Sequence, residues 1–217
     1  TKVVDEELHT NTDINEPGAA VSATDLDSML QVLLDLICPQ DIVVLSGSLP
    51  AGAPADTYRT WIEACSAAGA RVFLDASGEA FEKGLEAKPH LIKPNEVELG
   101  AMLGRALDTD DKVVEAARAL VEDGISCVVV SRGGDGAVYV DKDHVVVARS
   151  PKVKVASTVG CGDSVVAALA LGADTSMELD DLLVLAMATG SANAMQSGTQ
   201  PAPLELVESL KEQVTFA

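Results

Sequence analysis

The sequence predicts an α/β domain with a mostly parallel sheet covered by helices on both faces. Short continuous runs of Val, Ile and Leu alternate with longer amphipathic segments along the chain, and this alternation is typical of strands that are buried on both sides. Apolar residues form 47% of the 217 residues but aromatic residues only 3%, which suits an aliphatic core. The length fits one domain, or one domain with an appendage.

In the first half of the chain, helices are predicted where apolar residues recur at helical spacing between capping residues. One helix begins at a Thr-Asp pair, and another begins with Pro and ends with Gly. The strands are short apolar runs, and Pro17-Gly18 predicts a turn in the polar stretch before the first helix. The predicted strands are 2–8, 41–47, 71–77 and 90–94, and the predicted helices are 24–37, 54–69, 79–87 and 95–103.

The second half continues the alternation and adds a hairpin. A Val-rich strand leads into a glycine loop, and two further apolar runs joined by a short polar segment predict antiparallel strands. Three helical segments follow the hairpin. The predicted strands are 127–131, 136–141 and 144–150, and the predicted helices are 111–123, 163–173, 179–196 and 203–213.

The net charge of −19, from 15 basic and 34 acidic residues, argues against nucleic acid and anionic membranes as partners, because both are negatively charged. No apolar run approaches the roughly 18 residues that a membrane span needs. Cys38, Cys65, Cys127 and Cys161 lie far apart, and such scattered thiols favour a reducing compartment. We therefore expect a cytoplasmic protein. The three histidines are also isolated, so no zinc site is predicted.

The segment Gly160-Cys161-Gly162-Asp163 follows an apolar run and opens an Ala/Val/Leu helix. Two interpretations are open. Asp163 can be a purely structural helix N-cap. Alternatively, the glycine turn and the helix N-terminus bind a phosphate group, and Asp163 accepts a proton from a hydroxyl that attacks it. The dinucleotide fingerprint and the Gly-Lys pair of a Walker A loop are both lacking, so a phosphate site here belongs to another nucleotide-binding class.

Other loops follow predicted strands, where ligands collect in parallel sheets. Asn95 and Glu98 have the spacing of a capping box, but with Lys93 they can also reach a nucleotide and a Mg²⁺ ion. The loop 131–136 contains three glycines and is either a tight turn or a surface for a nucleotide. The loop after strand 41–47 carries hydroxyls such as Ser48, and it is either a plain turn or part of the site.

The order of these loops resembles one family, the ribokinase-like sugar kinases of the phosphofructokinase B group. The motifs NEPG, SGSLP, KPNxxE, SxGxDG, STVGxGDS and GSAxAxxxGT occur along the chain in that order. The resemblance implies a ribokinase-like three-layer sandwich with a mostly parallel sheet. Family members carry a further N-terminal part that supplies the first strands, most of a lid and half of the sugar site. Residues 1–20 then correspond to a remnant of the lid strand and hinge, and residues 21–217 to the nucleotide-binding and catalytic domain.

The resemblance also implies an ATP- and Mg²⁺-dependent kinase that acts on a sugar phosphate. Fructose 1-phosphate, giving fructose 1,6-bisphosphate, is the expected acceptor, with tagatose 6-phosphate and fructose 6-phosphate as alternatives. Asp163 is then the catalytic base, Ser48 contacts the sugar phosphate, and Glu98 orders Mg²⁺ through water. The anion hole consists of the N–H groups of Gly160, Cys161 and Gly162. The implied ATP contacts are Lys93, Asn95, Ser131, Arg132, Gly133, Gly134, Asp135, Gly136, Asn193 and Ser197.

The N-terminal part that the family carries has no counterpart in this chain. We therefore expect the 217 residues to be inactive alone, and a non-catalytic nucleotide-binding fragment stays open as an alternative. Lids of this family often pair, so a homodimer of the full-length protein is a further hypothesis.

Overall fold

A computed structural model of the chain describes residues 2–5, 10–13 and 18–217. Within them, β1 (Lys2–Asp5) and β2 (Thr10–Asp13) form a two-stranded antiparallel sheet. β1 confirms the first four residues of the predicted strand 2–8, and residues 6–8 lie outside the described ones, as does Pro17 of the predicted turn. The sequence does not predict β2, because its residues TNTD lack apolar alternation.

The main sheet contains seven strands, hydrogen-bonded in chain order: β3 (Ile42–Ser46), β4 (Arg71–Asp75), β5 (Leu91–Ile92), β6 (Cys127–Ser131), β7 (Ala137–Asp141), β8 (Val145–Arg149) and β9 (Thr215–Phe216). β3 to β6 are parallel to one another, whereas β7, β8 and β9 each pair antiparallel with the preceding strand. The predicted parallel strands and the hairpin are confirmed. The two-residue edge strand β9 is not predicted by any pattern in the sequence.

Eight helices overlap the eight predicted segments: α1 (Ala23–Leu36), α2 (Thr57–Ala67), α3 (Gly78–Leu85), α4 (Glu96–Leu103), α5 (Asp110–Glu122), α6 (Cys161–Asp174), α7 (Leu179–Ala194) and α8 (Leu204–Lys211). α6 begins two residues before the predicted start, because Gly160 is its N-cap. All four cysteines are free thiols. In the described ranges, the helices are all too short or too polar to cross a membrane.

The sheet forms the middle of three layers, because successive side chains of its strands enter opposite cores. In β4, Val72 and Leu74 belong to the core beneath α2, α3, α4 and α5, whereas Phe73 belongs to the core beneath α6, α7 and α8. In β6, Val128 and Val129 alternate in the same way. The predicted three-layer sandwich is confirmed.

β3 is an edge strand of the main sheet, and the surface around it is apolar. We call this region the β3 edge surface, and its exposed apolar side chains are Met29, Val32, Leu36, Val44 and Leu171. A cavity of about 470 Å³ lies there between α1, β3 and α6. None of the 14 side chains of α1 is fully buried, so this helix packs on the domain with only part of its apolar face.

Candidate active site

Polar residues from four loops lie along one rim of the main sheet, where the parallel strands end. Ser46 at the end of β3 is opposite Asp75 at the end of β4. Lys93 directly follows β5 and extends the β4–β5 register by one residue, so it lies beside Asp75. Asn95 forms an isolated parallel bridge with Ser131, the last residue of β6. The structure thus brings the predicted loops together at the edge where open α/β sheets bind ligands.

Lys93 and Asp75 form a nearly enclosed ion pair. Nζ of Lys93 lies 3.1 Å from Oδ1 of Asp75, and the two side chains are 6% and 16% exposed. Burial raises the pKa of the Asp75 carboxyl, and the adjacent Lys93 ammonium lowers it. The negative charges of Asp163 and Glu98 lie close enough to raise that pKa further. We call these four side chains the rim cluster.

No local motif in the sequence indicates a role for Asp75. The signal that could have identified it is strand register. Asp75 is the last residue of β4 and Lys93 the first residue after β5, so parallel pairing of two apolar runs places an acid beside a base.

The N-terminus of α6 presents backbone N–H groups toward solvent. Gly160 is the N-cap with φ +76°, a left-handed conformation that favours glycine, and no side chain caps the helix. Within residues 18–217, the N–H groups of Gly160, Gly162 and Asp163 have no hydrogen-bond partner, and that of Cys161 makes only a 3.4 Å contact with the carbonyl of Thr158. Free N–H groups at a helix N-terminus are suited to bind an anion.

The structural interpretation of Asp163 as the N-cap is wrong. Asp163 is the third residue of α6 rather than the residue before it. Its side chain is exposed, and in the described part of the chain its carboxylate accepts no hydrogen bond. The carboxylate is therefore held close to the free N–H groups without a structural partner of its own, and its role as a base remains a prediction.

The Lys93 ammonium adds positive charge to the same place. A Cβ atom built on Gly162 would lie 3.3 Å from Nζ of Lys93, so the ammonium lies against the first turn of α6. A side chain at position 162 would force the ammonium to move by a few tenths of an ångström, so glycine favours this close approach. One buried cation and several free N–H groups make this point of a strongly acidic protein locally favourable for phosphate.

Asn193 supports the turn before α6. Its side chain is 5% exposed, and Nδ2 donates to the carbonyl of Val159 at 3.0 Å and contacts Sγ of Cys161 at 3.7 Å. The family resemblance implies Asn193 as an ATP contact. The structure places its amide beneath the glycine turn, where it fixes the path of the backbone.

Asn95 and Glu98 form the capping box of α4. Oδ1 of Asn95 accepts from the Glu98 N–H at 2.8 Å, and Oε2 of Glu98 accepts from the Asn95 N–H at 2.9 Å. The structural interpretation is confirmed, and it does not exclude the functional one. The second carboxylate oxygen of Glu98 takes no part in the box, and Glu98 belongs to the rim cluster.

The loop 131–136 begins beside α4, since the Ser131 N–H donates to the carbonyl of Pro94 at 3.0 Å. Cβ atoms built on Gly133 and Gly134 would meet no atom within 4 Å, so the backbone there is open on its outer side, and Asp135 is exposed. The Arg132 side chain, in contrast, is 9% exposed and paired with Glu96. The structure thus leaves Gly133 and Gly134 accessible, whereas Gly136 is buried against β8. The Arg132 guanidinium is paired with protein carboxylates.

Ser48 and Ser197 are both exposed. Ser48 lies two residues beyond β3, whose end is fixed because the Tyr58 hydroxyl donates to the carbonyls of Ser46 and Gly47 at 3.2 and 3.0 Å. Ser197 lies beyond α7. Neither hydroxyl contacts the rim cluster.

Taken chemically, the rim combines an anion site, an exposed carboxylate beside it and oxygen ligands for a hard cation. No group of three or more His, Cys, Asp or Glu side chains within the described ranges could hold a metal ion by itself. This donor set suits Mg²⁺, which keeps several waters and takes further ligands from phosphates. The arrangement can bind a phosphoryl group and remove a proton from a hydroxyl next to it.

Comparison with known proteins agrees with this chemistry. Residues 1–205 match the family described as pfkB family carbohydrate kinase. The chain is 41% identical to 1-phosphofructokinase of Bacillus subtilis over 92% of its length, and 40% identical to that of Rhodobacter capsulatus over 99%. It covers 66% and 68% of those proteins, so it spans about two thirds of the length of these relatives.

Solved structures give the same picture. Phosphofructokinase-2 of Escherichia coli, in complex with substrates and products, is 33% identical and superimposes with a TM-score of 0.90. The match covers 97% of this chain and 69% of that one.

Proposed function

The chain belongs to the pfkB family of carbohydrate kinases, and from this premise we propose that the whole protein transfers the γ-phosphoryl group of ATP to a hydroxyl of a sugar phosphate. One observation carries the proposal. Asp163 has an exposed carboxylate without a structural partner, in the same helix turn as the free N–H groups and next to Gly162, against which the buried Lys93 ammonium lies. That combination is needed to deprotonate a hydroxyl while the transferred phosphoryl group is held.

In this proposal Asp163 accepts the proton of the attacking hydroxyl. The N–H groups of Gly160, Cys161, Gly162 and Asp163 donate to the phosphoryl oxygens, and the α6 dipole and the Lys93 ammonium favour their negative charge. Glu98 and Asp75 would hold a Mg²⁺ ion through water, and the ion would neutralise charge on the triphosphate. The nucleotide lies along the exposed backbone of 133–135, with Asn95, Ser131 and Ser197 nearby.

Fructose 1-phosphate is the proposed acceptor, giving fructose 1,6-bisphosphate, with Ser48 contacting its phosphate. The two relatives at 41% and 40% identity are both named 1-phosphofructokinase, which supports this choice. Phosphofructokinase-2 of Escherichia coli, whose structure is known with fructose-6-phosphate, is 31% identical, which keeps fructose 6-phosphate as an alternative beside tagatose 6-phosphate. Measuring kcat/KM of the complete gene product for each of the three sugar phosphates tests which one is the preferred acceptor. A higher value for either alternative overturns fructose 1-phosphate.

The role of Asp163 is tested by Asp163→Asn in the complete gene product. We expect turnover to fall by about 10³-fold, the size of a lost general base, while calorimetry still detects MgATP binding because the N–H groups remain. Asp174→Asn, an exposed position at the other end of α6, is the matched control and should retain activity. Near-normal turnover of Asp163→Asn would remove this residue from the role of base.

We also propose a cytoplasmic protein that pairs through its lid. β1 and β2 form a sheet separate from the main one, which supports a lid. Phosphofructokinase-2 of Escherichia coli has a tetrameric inhibited form, which supports assembly of more than one subunit. Light scattering on the complete gene product measures the oligomeric state, and a monomer would contradict the pairing.

A further inference from the structure

Four charged side chains meet behind the loop 131–136, and three of them were not noted in the sequence. Glu96 is the first residue of α4, Asp110 the first residue of α5, Arg132 follows β6, and Arg149 ends β8. We call them the arginine–carboxylate cluster. It joins two helix N-termini and two strand ends.

The cluster is electrically neutral within itself. Nε of Arg132 donates to Oε2 of Glu96 at 2.7 Å, and Nη1 of Arg132 donates to Oδ1 of Asp110. Arg149 donates to both oxygens of Asp110, at 3.3 and 2.5 Å. The Arg132 side chain is 9% exposed, Asp110 30% and Arg149 35%. Two cations thus face two anions, and neither guanidinium is left with an unpaired charge for a ligand.

Asp110 is the centre of the cluster. The pKa of its carboxyl lies below the ordinary value, first because Arg149 donates hydrogen bonds to it and then because of the charges of Arg149 and Arg132. The carboxylate therefore stays ionised throughout the neutral range. Its Oδ1 atom accepts from both guanidinium groups, which would otherwise repel each other.

The cluster lies at the beginning of the glycine loop, through Arg132, and near its end, through Arg149. The backbone N–H of Arg132 donates to the carbonyl of Gly136 at 2.8 Å, and Nη1 of Arg149 contacts the carbonyl of Asp135 at 3.5 Å. Between these attachments, Gly133 and Gly134 present their open side to solvent. Arg149 thus holds the loop through its side chain, and the side chain of Arg132 is fixed at the start of the loop by its carboxylate partners. Nζ of Lys152 adds a further hydrogen bond, to the carbonyl of Gly134 at 3.0 Å.

We propose that Asp110 and Arg149 are positioning residues that hold the loop 131–136 in the conformation that receives the nucleotide. The inference rests on the proposed function for its ligand, MgATP. It assigns the Arg132 guanidinium to the same task, in place of the direct ATP contact predicted from the sequence.

The test is Asp110→Asn in the complete gene product. Loss of the carboxylate leaves Arg132 and Arg149 facing each other, so we expect them to separate and the loop to become mobile. KM for MgATP should rise about tenfold, as for a broken, partly buried ion pair. kcat and KM for the sugar phosphate should stay near the wild-type values, because α6 and the rim cluster are not touched.

Asp111→Asn is the matched control, since it removes a carboxylate from the same helix turn at an exposed position. Arg149→Lys is the second variant; it keeps the charge but loses the two-pronged contact, and it should give a smaller rise in KM. Hydrogen exchange of the amides 133–136, without nucleotide, should be faster in Asp110→Asn than in Asp111→Asn.

Equal KM values for Asp110→Asn and Asp111→Asn would overturn the inference, and so would a fall in kcat at unchanged KM. If the wild-type protein neither binds nor uses MgATP, the proposed function fails, and the exchange comparison still decides the positioning role. Unchanged exchange at 133–136 in Asp110→Asn overturns that role whatever the activity.

Discussion

Lys93 is a cation with only 6% of its side chain exposed, and such a charge needs a partner. Asp75 is that partner, although Asp163 and Glu98 act against it by raising its pKa. In the rim cluster, the Lys93 ammonium attracts the Asp75 carboxylate, whereas the carboxylates of Asp75, Asp163 and Glu98 repel one another. A buried ion pair of this kind contributes little net stability, whereas removing one partner is costly.

We predict that Asp75→Asn lowers the free energy of unfolding by about 2 kcal/mol, below the usual cost of an unpaired buried charge because repulsion in the rim cluster is relieved. Urea denaturation measures the change. Adding Lys93→Met to Asp75→Asn should recover stability, since the uncompensated ammonium is then absent. A double variant less stable than Asp75→Asn would show that the two charges are not coupled in this way.

At the residue scale, local motifs predict candidate residues more readily than their contacts. Asp163 lies in the rim cluster, and its interpretation as the N-cap is wrong because Gly160 is the N-cap of α6. The family resemblance implies Arg132 as an ATP contact, and only the fold shows Glu96 and Asp110 around it. Partners distant in sequence cannot be read from local motifs.

At the scale of elements, glycine decides how the loop 131–136 connects β6 to β7. Gly136 has φ +102°, and an added Cβ would overlap the carbonyl of Ala148 in β8. Gly134, two residues earlier, does not have a positive φ and has no atom near its Cβ position. The two glycines therefore serve different purposes, one for packing and one for access.

We predict that Gly136→Ala lowers the stability by about 2 kcal/mol or more, through backbone strain and overlap with β8. Gly134→Ala is the matched control and should leave the stability almost unchanged. It should nevertheless raise KM for MgATP if the nucleotide lies on this backbone. Urea denaturation and initial-rate kinetics measure the two effects, and equal stability losses in both variants would contradict the assignment.

A helix or strand can be predicted from the sequence when its own residues carry the pattern of apolar side chains and capping residues that defines it. The apolar spacing and capping residues of α1 and α4 give their positions directly. β2 and β9 are different: one is a polar strand defined by its pairing with β1, and the other has two residues. Such strands depend on a partner in the fold, and local pattern does not reveal them.

At the scale of the whole molecule, the chain contains the rim cluster but spans only about two thirds of the length of its curated relatives. We predict that the 217-residue polypeptide, produced alone, does not phosphorylate fructose 1-phosphate, because groups that grip the sugar are expected from the remaining third of the family fold. A coupled assay with MgATP measures this. The complete gene product is the positive control, and turnover by the 217 residues alone would contradict the prediction.

The overall architecture could be predicted because two independent features of the sequence agreed. The alternation of apolar runs and helices predicted the three layers, and the order of loop motifs predicted the family to which residues 1–205 belong. The arginine–carboxylate cluster had no such signal, since its members come from four elements that only the fold assembles.

The β3 edge surface has a consequence for any laboratory that handles these residues in isolation. The outer backbone of an edge strand has N–H and C=O groups without strand partners. Val44 in β3 adds an apolar side chain that is 40% exposed. A strand of another molecule can pair with such an exposed edge, and natural proteins usually protect the edge with lysine, proline or a covering segment. The solubility of the 217-residue polypeptide during purification will therefore depend on whether the β3 edge surface is covered.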